Sequence, residues 1–355
     1  MGRLLLTALL ASVLSTMSPA QEERADSTDL GEIFKSVLGL AQPKVGLDAQ
    51  FGAMASNTGG AYLSRDFTSR FYVNLLRVFL AGNPDGRFSY LVQADLNAGF
   101  SLLDLKFSYD ISDNFRIDAG QFKAPFGREY LADDADLTFI DRSAAANFIT
   151  LGRQQGVQLA ARTDRNDLQV VAGIFNGDAY SYVSGKKISL FAGQIYYVPL
   201  DDRRAFSGVR IDVGGSAALT TDASDLGRFN YWDAHKLLYS SNFRIDYDRL
   251  WLMGEYDYVA LMDRRVLLAH GLTADAGYRI GRRWEVAGRF DWYQRNDLDG
   301  YDFFTGLRYI TRNYLFGINW YPEQNIRLKL DYVRDQVNNF NSGYLIFQYA
   351  INHGK

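Results

Sequence analysis

The 355-residue chain has no cysteine and only three histidines, and its one sustained apolar run lies at the N-terminus. Without cysteine there is neither a disulfide framework nor a thiolate-ligated metal site. A single short apolar run excludes a helical membrane bundle, because each span needs about 20 consecutive apolar residues. A basic surplus is missing too, with 38 Lys and Arg against 41 Asp and Glu, so no nucleic-acid partner is expected. What the chain has in abundance is aromatic residues: 24 Phe, 23 Tyr and 5 Trp. That composition favours strands.

The N-terminus reads as an export signal over residues 1–20. Arg3 supplies the positive charge, 4–14 form a short apolar core, and Ser18 and Ala20 are small where a signal peptidase cuts, predicting cleavage before Gln21. The apolar core is too short to span a bilayer as an anchor helix. From Lys44 onward the dominant period is two. Phe88, Tyr90, Val92, Ala94 and Leu96 alternate with Arg87, Ser89, Gln93, Asp95 and Asn97, and Ile326, Leu328, Leu330 and Tyr332 alternate with Arg327, Lys329 and Asp331. Similar alternation runs through 103–109, 239–247 and 284–292.

The links between these runs come in two kinds. Tight turns fall at 83–86, 111–114, 164–167, 199–203, 247–249, 281–283 and 322–325. Longer or more variable links alternate with them, at 55–68, 98–100, 124–152, 177–186, 221–236, 260–267, 295–313 and 335–343. The resulting fifteen connections imply about sixteen strands with both termini on the tight-turn side, or eighteen if 301–311 adds a hairpin. This is the pattern of a transmembrane antiparallel β-barrel of the bacterial cell outer membrane, with short periplasmic turns and longer external loops. A soluble β-sandwich would alternate as well. Strands of about ten residues, however, match the nine to eleven that cross a bilayer at a tilt. Aromatics also sit beside the turns (Tyr109, Phe115, Tyr197, Tyr247, Trp251, Tyr278, Trp284, Tyr321), where an interfacial girdle belongs. Residues 44–355 are therefore read as the barrel. Between signal and barrel, 21–43 contain one helix: Asp29 and Glu32 resemble a capping box, and Leu30, Ile33, Phe34, Val37 and Leu38 follow at helical spacing. This short periplasmic segment either packs against the barrel rim, plugs its mouth, or is a frayed leader with no role.

Three stretches carry a resemblance. Gly120, Gln121, Phe122, Lys123, Ala124, Pro125, Phe126 and Gly127 come first, followed by Phe139, Ile140, Asp141, Arg142 and Ser143, and then by Gly152, Arg153, Gly156 and Val157. In this order and spacing they resemble the central signature of the phosphate-selective porin O and P family, and 317–332 are similar to its penultimate hairpin. The resemblance implies a sixteen-stranded homotrimeric porin whose third external loop folds into the pore. It further implies passage of small anions such as phosphate or polyphosphate, and insertion by the barrel-assembly machinery among outer-membrane lipids.

The link at 124–152 is the third external one, and 29 residues is too long for an ordinary hairpin loop. Phe126, Tyr130, Leu131, Leu137, Phe139, Ile140 and Phe148 give it apolar anchors, so it is expected to fold inward as the constriction. Selectivity in such channels comes from pore width and from charged rings or patches. At the constriction the candidates are Lys123, Arg128, Arg142 and Arg153 beside Glu129, Asp133, Asp134, Asp136 and Asp141. Lys123 stands out because it ends a strand immediately before the loop. Basic wall candidates are Arg87, Lys106, Arg116, Arg162, Arg210, Arg244, Arg279, Arg289, Arg327 and Lys329. Against them stand Asp95, Asp104, Asp118, Asp212, Asp246, Asp275, Glu285, Asp291 and Asp331, so the wall is nearly balanced. Near balance argues against a dedicated phosphate file, which needs surplus Arg or Lys along one line.

An enzymatic reading has little to build on. His235 and His270 sit in or beside external loops and His353 lies in the C-terminal tail, with no spacing that suggests a triad or a metal site. No cofactor is expected. The reading is a passive porin for small hydrophilic solutes or ions, with a non-selective channel or a surface scaffold or adhesin as alternatives.

Overall fold

The computed structural model describes residues 43–58, 66–177, 188–201, 208–220, 235–262, 266–295 and 310–351. Sixteen strands are present among them. The first eight are β1 (Lys44–Thr58), β2 (Asp66–Gly82), β3 (Phe88–Asp95), β4 (Ser101–Asp110), β5 (Phe115–Lys123), β6 (Arg153–Arg162), β7 (Leu168–Phe175) and β8 (Leu190–Asp201). The rest are β9 (Val209–Thr220), β10 (Lys236–Tyr247), β11 (Leu250–Leu261), β12 (Val266–Ile280), β13 (Trp284–Arg295), β14 (Ile310–Glu323), β15 (Ile326–Asp335) and β16 (Phe340–Ile351). Each pairs antiparallel with its neighbours in sequence, and β1 pairs β16 from Leu47 opposite Ile351 to Asn57 opposite Asn341, so the sheet closes into a barrel. Closure leaves no unpaired edge, which is what permits a sheet to sit in hydrocarbon. Strand β13 pairs directly with β14, from Trp284 opposite Trp320 to Gln294 opposite Ile310, so the ring has sixteen strands and the extra hairpin suggested at 301–311 does not enter it; residues 296–309 lie outside the described residues, as do 1–42 with the expected signal and helix.

The distribution of side chains is inverted relative to a water-soluble protein. Phe107, Phe316 and Leu330 are 44%, 52% and 50% exposed, whereas Asp104, Glu285 and Asp331 are 6%, 6% and 2% exposed. On β13 the alternation is plain: Trp284 faces out while Glu285, Arg289 and Asp291 are buried. An exposed apolar exterior around a buried polar interior suits lipid outside and a hydrophilic lumen inside.

Turn chemistry sets the tight end. Asp248 adopts φ 50 and makes the two-residue β10–β11 connection, and Asp85 accepts hydrogen bonds from the backbone N–H groups of Arg87 (2.9 Å) and Phe88 (2.6 Å) in the β2–β3 turn. Two turns differ from expectation. Strand β8 runs through Pro199 to Asp201 by way of a bulge between Tyr197 and Leu200, and β14 runs through Pro322 to Glu323 with a bulge after Trp320. Bulges are where a strand tolerates proline, because the N–H that proline lacks is not needed by the ladder there.

The aromatic girdle at the tight-turn end is real but smaller than expected. Tyr109, Phe115, Tyr197, Tyr247, Tyr278 and Trp284 are each between 40% and 54% exposed. Trp251 and Tyr321 instead face inward. Trp251 is 3% exposed and donates its Nε1–H to Glu285 (2.7 Å), and the Tyr321 hydroxyl donates to the other oxygen of Glu285 (2.8 Å). Each has a polar atom that a lumenal carboxylate can satisfy, an option lipid does not offer.

Candidate pore constriction

Segment 124–152 leaves β5 and re-enters at β6, and its ends are tied by the Ala124 N–H donating to the Gly152 carbonyl (3.2 Å). Gly120, near the end of β5, holds φ 126, and a Cβ there would lie 2.0 Å from the Leu105 carbonyl oxygen, so only glycine fits. The segment contains a one-turn helix α1 (Arg128–Leu131), a 3-10 turn (Asp134–Asp136) and a second short helix α2 (Ala144–Phe148), which Ser143 caps by accepting the Ala146 N–H (3.2 Å).

These pieces are fastened to inward side chains around the barrel. The Gly127 N–H donates to Ser216 of β9 (3.2 Å), and Arg128 pairs with Asp212 of the same strand. Glu255 of β11 accepts the N–H groups of Arg128 (2.7 Å) and Glu129 (2.9 Å). Asp291 of β13 accepts the Ala144 N–H (3.0 Å), and Asp331 of β15 accepts that of Ile140 (2.7 Å). Wall donors reach the segment's carbonyls in return: Asn319 bonds Thr138 (3.0 Å), Lys329 bonds Leu137 (2.9 Å), and Arg327 bonds Ala135 (3.0 Å) and Leu137 (2.7 Å). Arg77 of β2 pairs with Asp134. Since β2 and β9 lie seven strands apart in a ring of sixteen, a segment bonded to both crosses the interior.

Apolar contacts reinforce the polar ones. Phe122, Ala124, Phe126, Ile149 and Leu151 form one buried cluster with Phe175, Leu190, Leu238, Val259, Leu261 and other inward residues at the external ends of β7 to β13. Phe139, wholly buried, packs on Trp251 and Ala287, with the Arg289 guanidinium 4.5 Å from its ring centre. Each fully buried Phe is worth on the order of 1.5–3 kcal/mol, so the segment is anchored rather than suspended.

This anchoring consumes the cations that the sequence singles out. The Lys123 ammonium donates to the Tyr130 and Ala132 carbonyls (both 2.9 Å). Arg142 pairs with Asp134 (2.6 Å) and donates to Ala132 (2.6 Å), and Arg153 makes a two-pronged pair with Asp104 (2.9 and 3.2 Å). Arg289 bridges Glu129 (2.6 Å) and Asp275 (2.7 Å), with all three side chains buried. Asp134 is held between Arg142 and Arg77; burial disfavours its charge, but the two guanidiniums outweigh that and keep its carboxyl well below the usual carboxylate range. Asp133, Asp136 and Asp141, by contrast, are exposed.

The remaining basic candidates are scattered. Arg87 lies in the β2–β3 turn and Arg162 ends β6, both exposed, with Arg162 bonded to the Asp113 carbonyl (2.9 Å). Arg116 pairs with Asp110 (2.6 Å) near the β4–β5 turn, and Lys106 is half-buried on β4. Arg210 is 31% exposed with carboxylates 3.7 and 3.8 Å away, and Arg244 pairs with Asp246 (2.9 Å). Sequence reasoning missed Glu255 and Asp257 of β11, which share the inward face with Trp251 and are 3% and 1% exposed. The signal was available: two carboxylates two residues apart mark the face that cannot meet lipid.

A closed barrel with an apolar outside, a polar lumen and a segment fastened across it defines an outer-membrane porin, placed in the bacterial outer membrane. Residues 45–195 match the sequence model of the family phosphate-selective porin O and P, the family that the central motif resembles. Among solved structures the chain is similar to OprB of Pseudomonas putida (12% identity, 91% of this chain and 97% of that one, TM-score 0.64). It is also similar to an anion-selective porin from Comamonas acidovorans (11%, 87% and 99%, TM-score 0.61) and to a trimer form of OmpT from Vibrio cholerae (10%, 87% and 99%, TM-score 0.55). At these identities the likeness is one of fold. No curated protein sequence matches the chain.

Proposed function

We propose that the protein is a passive diffusion channel for small hydrophilic solutes, narrowed by segment 124–152, and that this segment is not a dedicated phosphate filter. The observation that carries the reading is the pairing of segment and wall. Lys123, Arg142, Arg153 and Arg289 are committed to carbonyls or carboxylates, while Asp133, Asp136 and Asp141 are the segment's exposed charges. A phosphate filter needs guanidinium or ammonium donors free to replace the ion's water. Donors already engaged in buried pairs do not supply that.

The oligomer we infer is a homotrimer inserted by the barrel-assembly machinery, supported by the fold shared with a porin described in its trimer form. Crosslinking in native membranes should give a trimer band, and a monomer alone would contradict it. A catalytic role finds no support: His235 Nδ1 lies 3.3 Å from the Thr220 carbonyl, and His270 contacts the rings of Tyr256 and Trp292. Liposome swelling tests the diffusion reading. Proteoliposomes should admit neutral sugars at rates falling steeply with solute size; no swelling with any solute would favour a surface scaffold instead.

A further inference from the structure

On the outer wall, the external ends of β14 and β15 carry two arginines. Side chains alternate between the faces of a strand, so Arg312 shares the outward face of β14 with Tyr314 and Phe316, and Arg334 shares that of β15 with Leu330 and Tyr332, all four of these companions being exposed. Arg334 stands opposite Tyr314, which makes Arg312, two residues farther along β14, its diagonal neighbour. Diagonal neighbours lie about 7–8 Å apart, within reach of long side chains. Elsewhere among the described residues, the outward positions at the external strand ends carry no lysine or arginine.

Their depth matches that of a lipid headgroup. Arg312 is eight residues from Trp320, whose ring stacks on that of Trp284 (centres 5.6 Å apart) in the girdle at the tight-turn end. At about 3.4 Å per residue and a tilt of roughly 35–45°, that stretch climbs about 20 Å, against an apolar band about 25 Å tall. The long arginine stem carries its guanidinium on to the polar edge. Positive charge is uncompensated there. Arg334 donates to Asn341 Oδ1 (3.3 Å) and to Asn339 Oδ1 (2.6 Å), neutral amides that fix its guanidinium without cancelling its charge. Arg312 is exposed, and neither arginine forms an ion pair with a described residue. Asp335, beside Arg334 in the chain, is buried on the lumenal face, where its carboxylate accepts the Val337 and Asn338 N–H groups (2.8 and 2.9 Å).

From this geometry we propose that Arg312 and Arg334 form a site on the outside of the barrel for a phosphorylated lipid of the external leaflet, its phosphate held between the two guanidiniums. Each guanidinium offers paired N–H donors to phosphate oxygens, and two that converge suit a phosphate monoester. Below them Leu330 stands opposite both Ile318 and Leu345, so an unbroken apolar track runs from the arginines toward the middle of the wall. A free anion gains the arginines alone. A lipid gains the arginines and the track, with its acyl chain along Phe316, Leu330 and Leu345. The site is independent of what the lumen conducts and needs only a barrel inserted with its longer links outside.

The test is native mass spectrometry of the full-length protein in dodecyl maltoside, titrated with dioleoyl phosphatidic acid and, separately, with dioleoyl phosphatidylcholine. The two lipids share their chains and differ in the headgroup. Wild type is compared with the Arg312→Gln, Arg334→Gln double variant and with Arg165→Gln, in the β6–β7 turn, as the control for surface charge. Unchanged heat-modifiable gel migration verifies folding, and the single Arg312→Gln variant, at an exposed position, serves if the double variant does not fold. Wild type and Arg165→Gln should hold phosphatidic acid at least tenfold more tightly than phosphatidylcholine, and the double variant should hold the two alike. Equal retention of both lipids by wild type, an undiminished preference without the arginines, or an equal loss in Arg165→Gln would overturn the site. Displacement of phosphatidic acid by millimolar inorganic phosphate would assign the arginines to a free anion and overturn the lipid. A double variant that loses its crosslinked oligomer while keeping the lipid preference would make this face a contact between copies of the chain, again against the proposal.

Discussion

Arg289 of the barrel wall and Glu129 of the inward segment lie 2.6 Å apart, each with a side chain only 3% exposed. Arg289 also forks onto Asp275 (2.8 and 2.7 Å) and donates to the Asp141 carbonyl (3.1 Å), so one guanidinium joins the wall to both arms of the segment. Desolvation makes such a pair weak evidence for net stability, yet removing one partner is severe, at about 3–5 kcal/mol. The two ends of this pair should therefore be unequal. Glu129→Ala leaves Arg289 neutralised by Asp275; Arg289→Met strands two buried carboxylates together. Single-channel recordings should show added current noise in Glu129→Ala and larger disruption, with lowered folded yield, in Arg289→Met. The reverse order would contradict the assignment.

Lys123 is the residue the sequence points to most directly, and its geometry makes it a pin. With its ammonium given to the Tyr130 and Ala132 carbonyls, Lys123→Met should leave the reversal potential in a salt gradient nearly unchanged. Removing both bonds that the ammonium donates to these part-buried carbonyls should carry a local cost of about 1–3 kcal/mol. Its measure is a fall in the unfolding midpoint. A large swing in selectivity at unchanged stability would show that Lys123 faces the solute.

The Arg77–Asp134–Arg142 cluster sets a pH expectation. Because the Asp134 carboxyl is held below its ordinary range, its contribution is complete above the unfolded-state value of about 4 and is lost only as pH falls through the lower folded-state value. The stability gap between wild type and Asp134→Asn should thus stay flat from pH 7 to about 4 and narrow in stronger acid. A gap that closes between pH 7 and 5 would mean the cluster is not formed.

Much of the architecture is legible in the sequence because a barrel wall is a period-two object. Residues such as Trp284, Val286 and Phe290 against Glu285, Arg289 and Asp291 reveal strands, and turn residues at 111–114 or 281–283 bound them. Periodicity yields two faces without saying which meets lipid. Trp251, beside a turn, fits a girdle as well as it fits a lumen, and only the carboxylates of Glu255 and Asp257 on the same face decide. The fastening of the segment was less visible for another reason. Glu255, Asp291 and Asp331 hold backbone N–H groups, and a backbone donor leaves no mark on the side-chain pattern. The motif around Lys123 and Arg153 was readable as a motif; that its cations are spent on carbonyls and carboxylates required the fold.

In the proposed channel, segment 124–152 sets the narrowest passage. Single-channel conductance in potassium chloride, compared between wild type and a variant with the centre of the segment deleted, tests it most directly, with heat-modifiable migration confirming that both barrels are folded. Ion flux depends steeply on the narrowest radius, so conductance should rise severalfold in the deletion. Equal conductance in two folded barrels would contradict it.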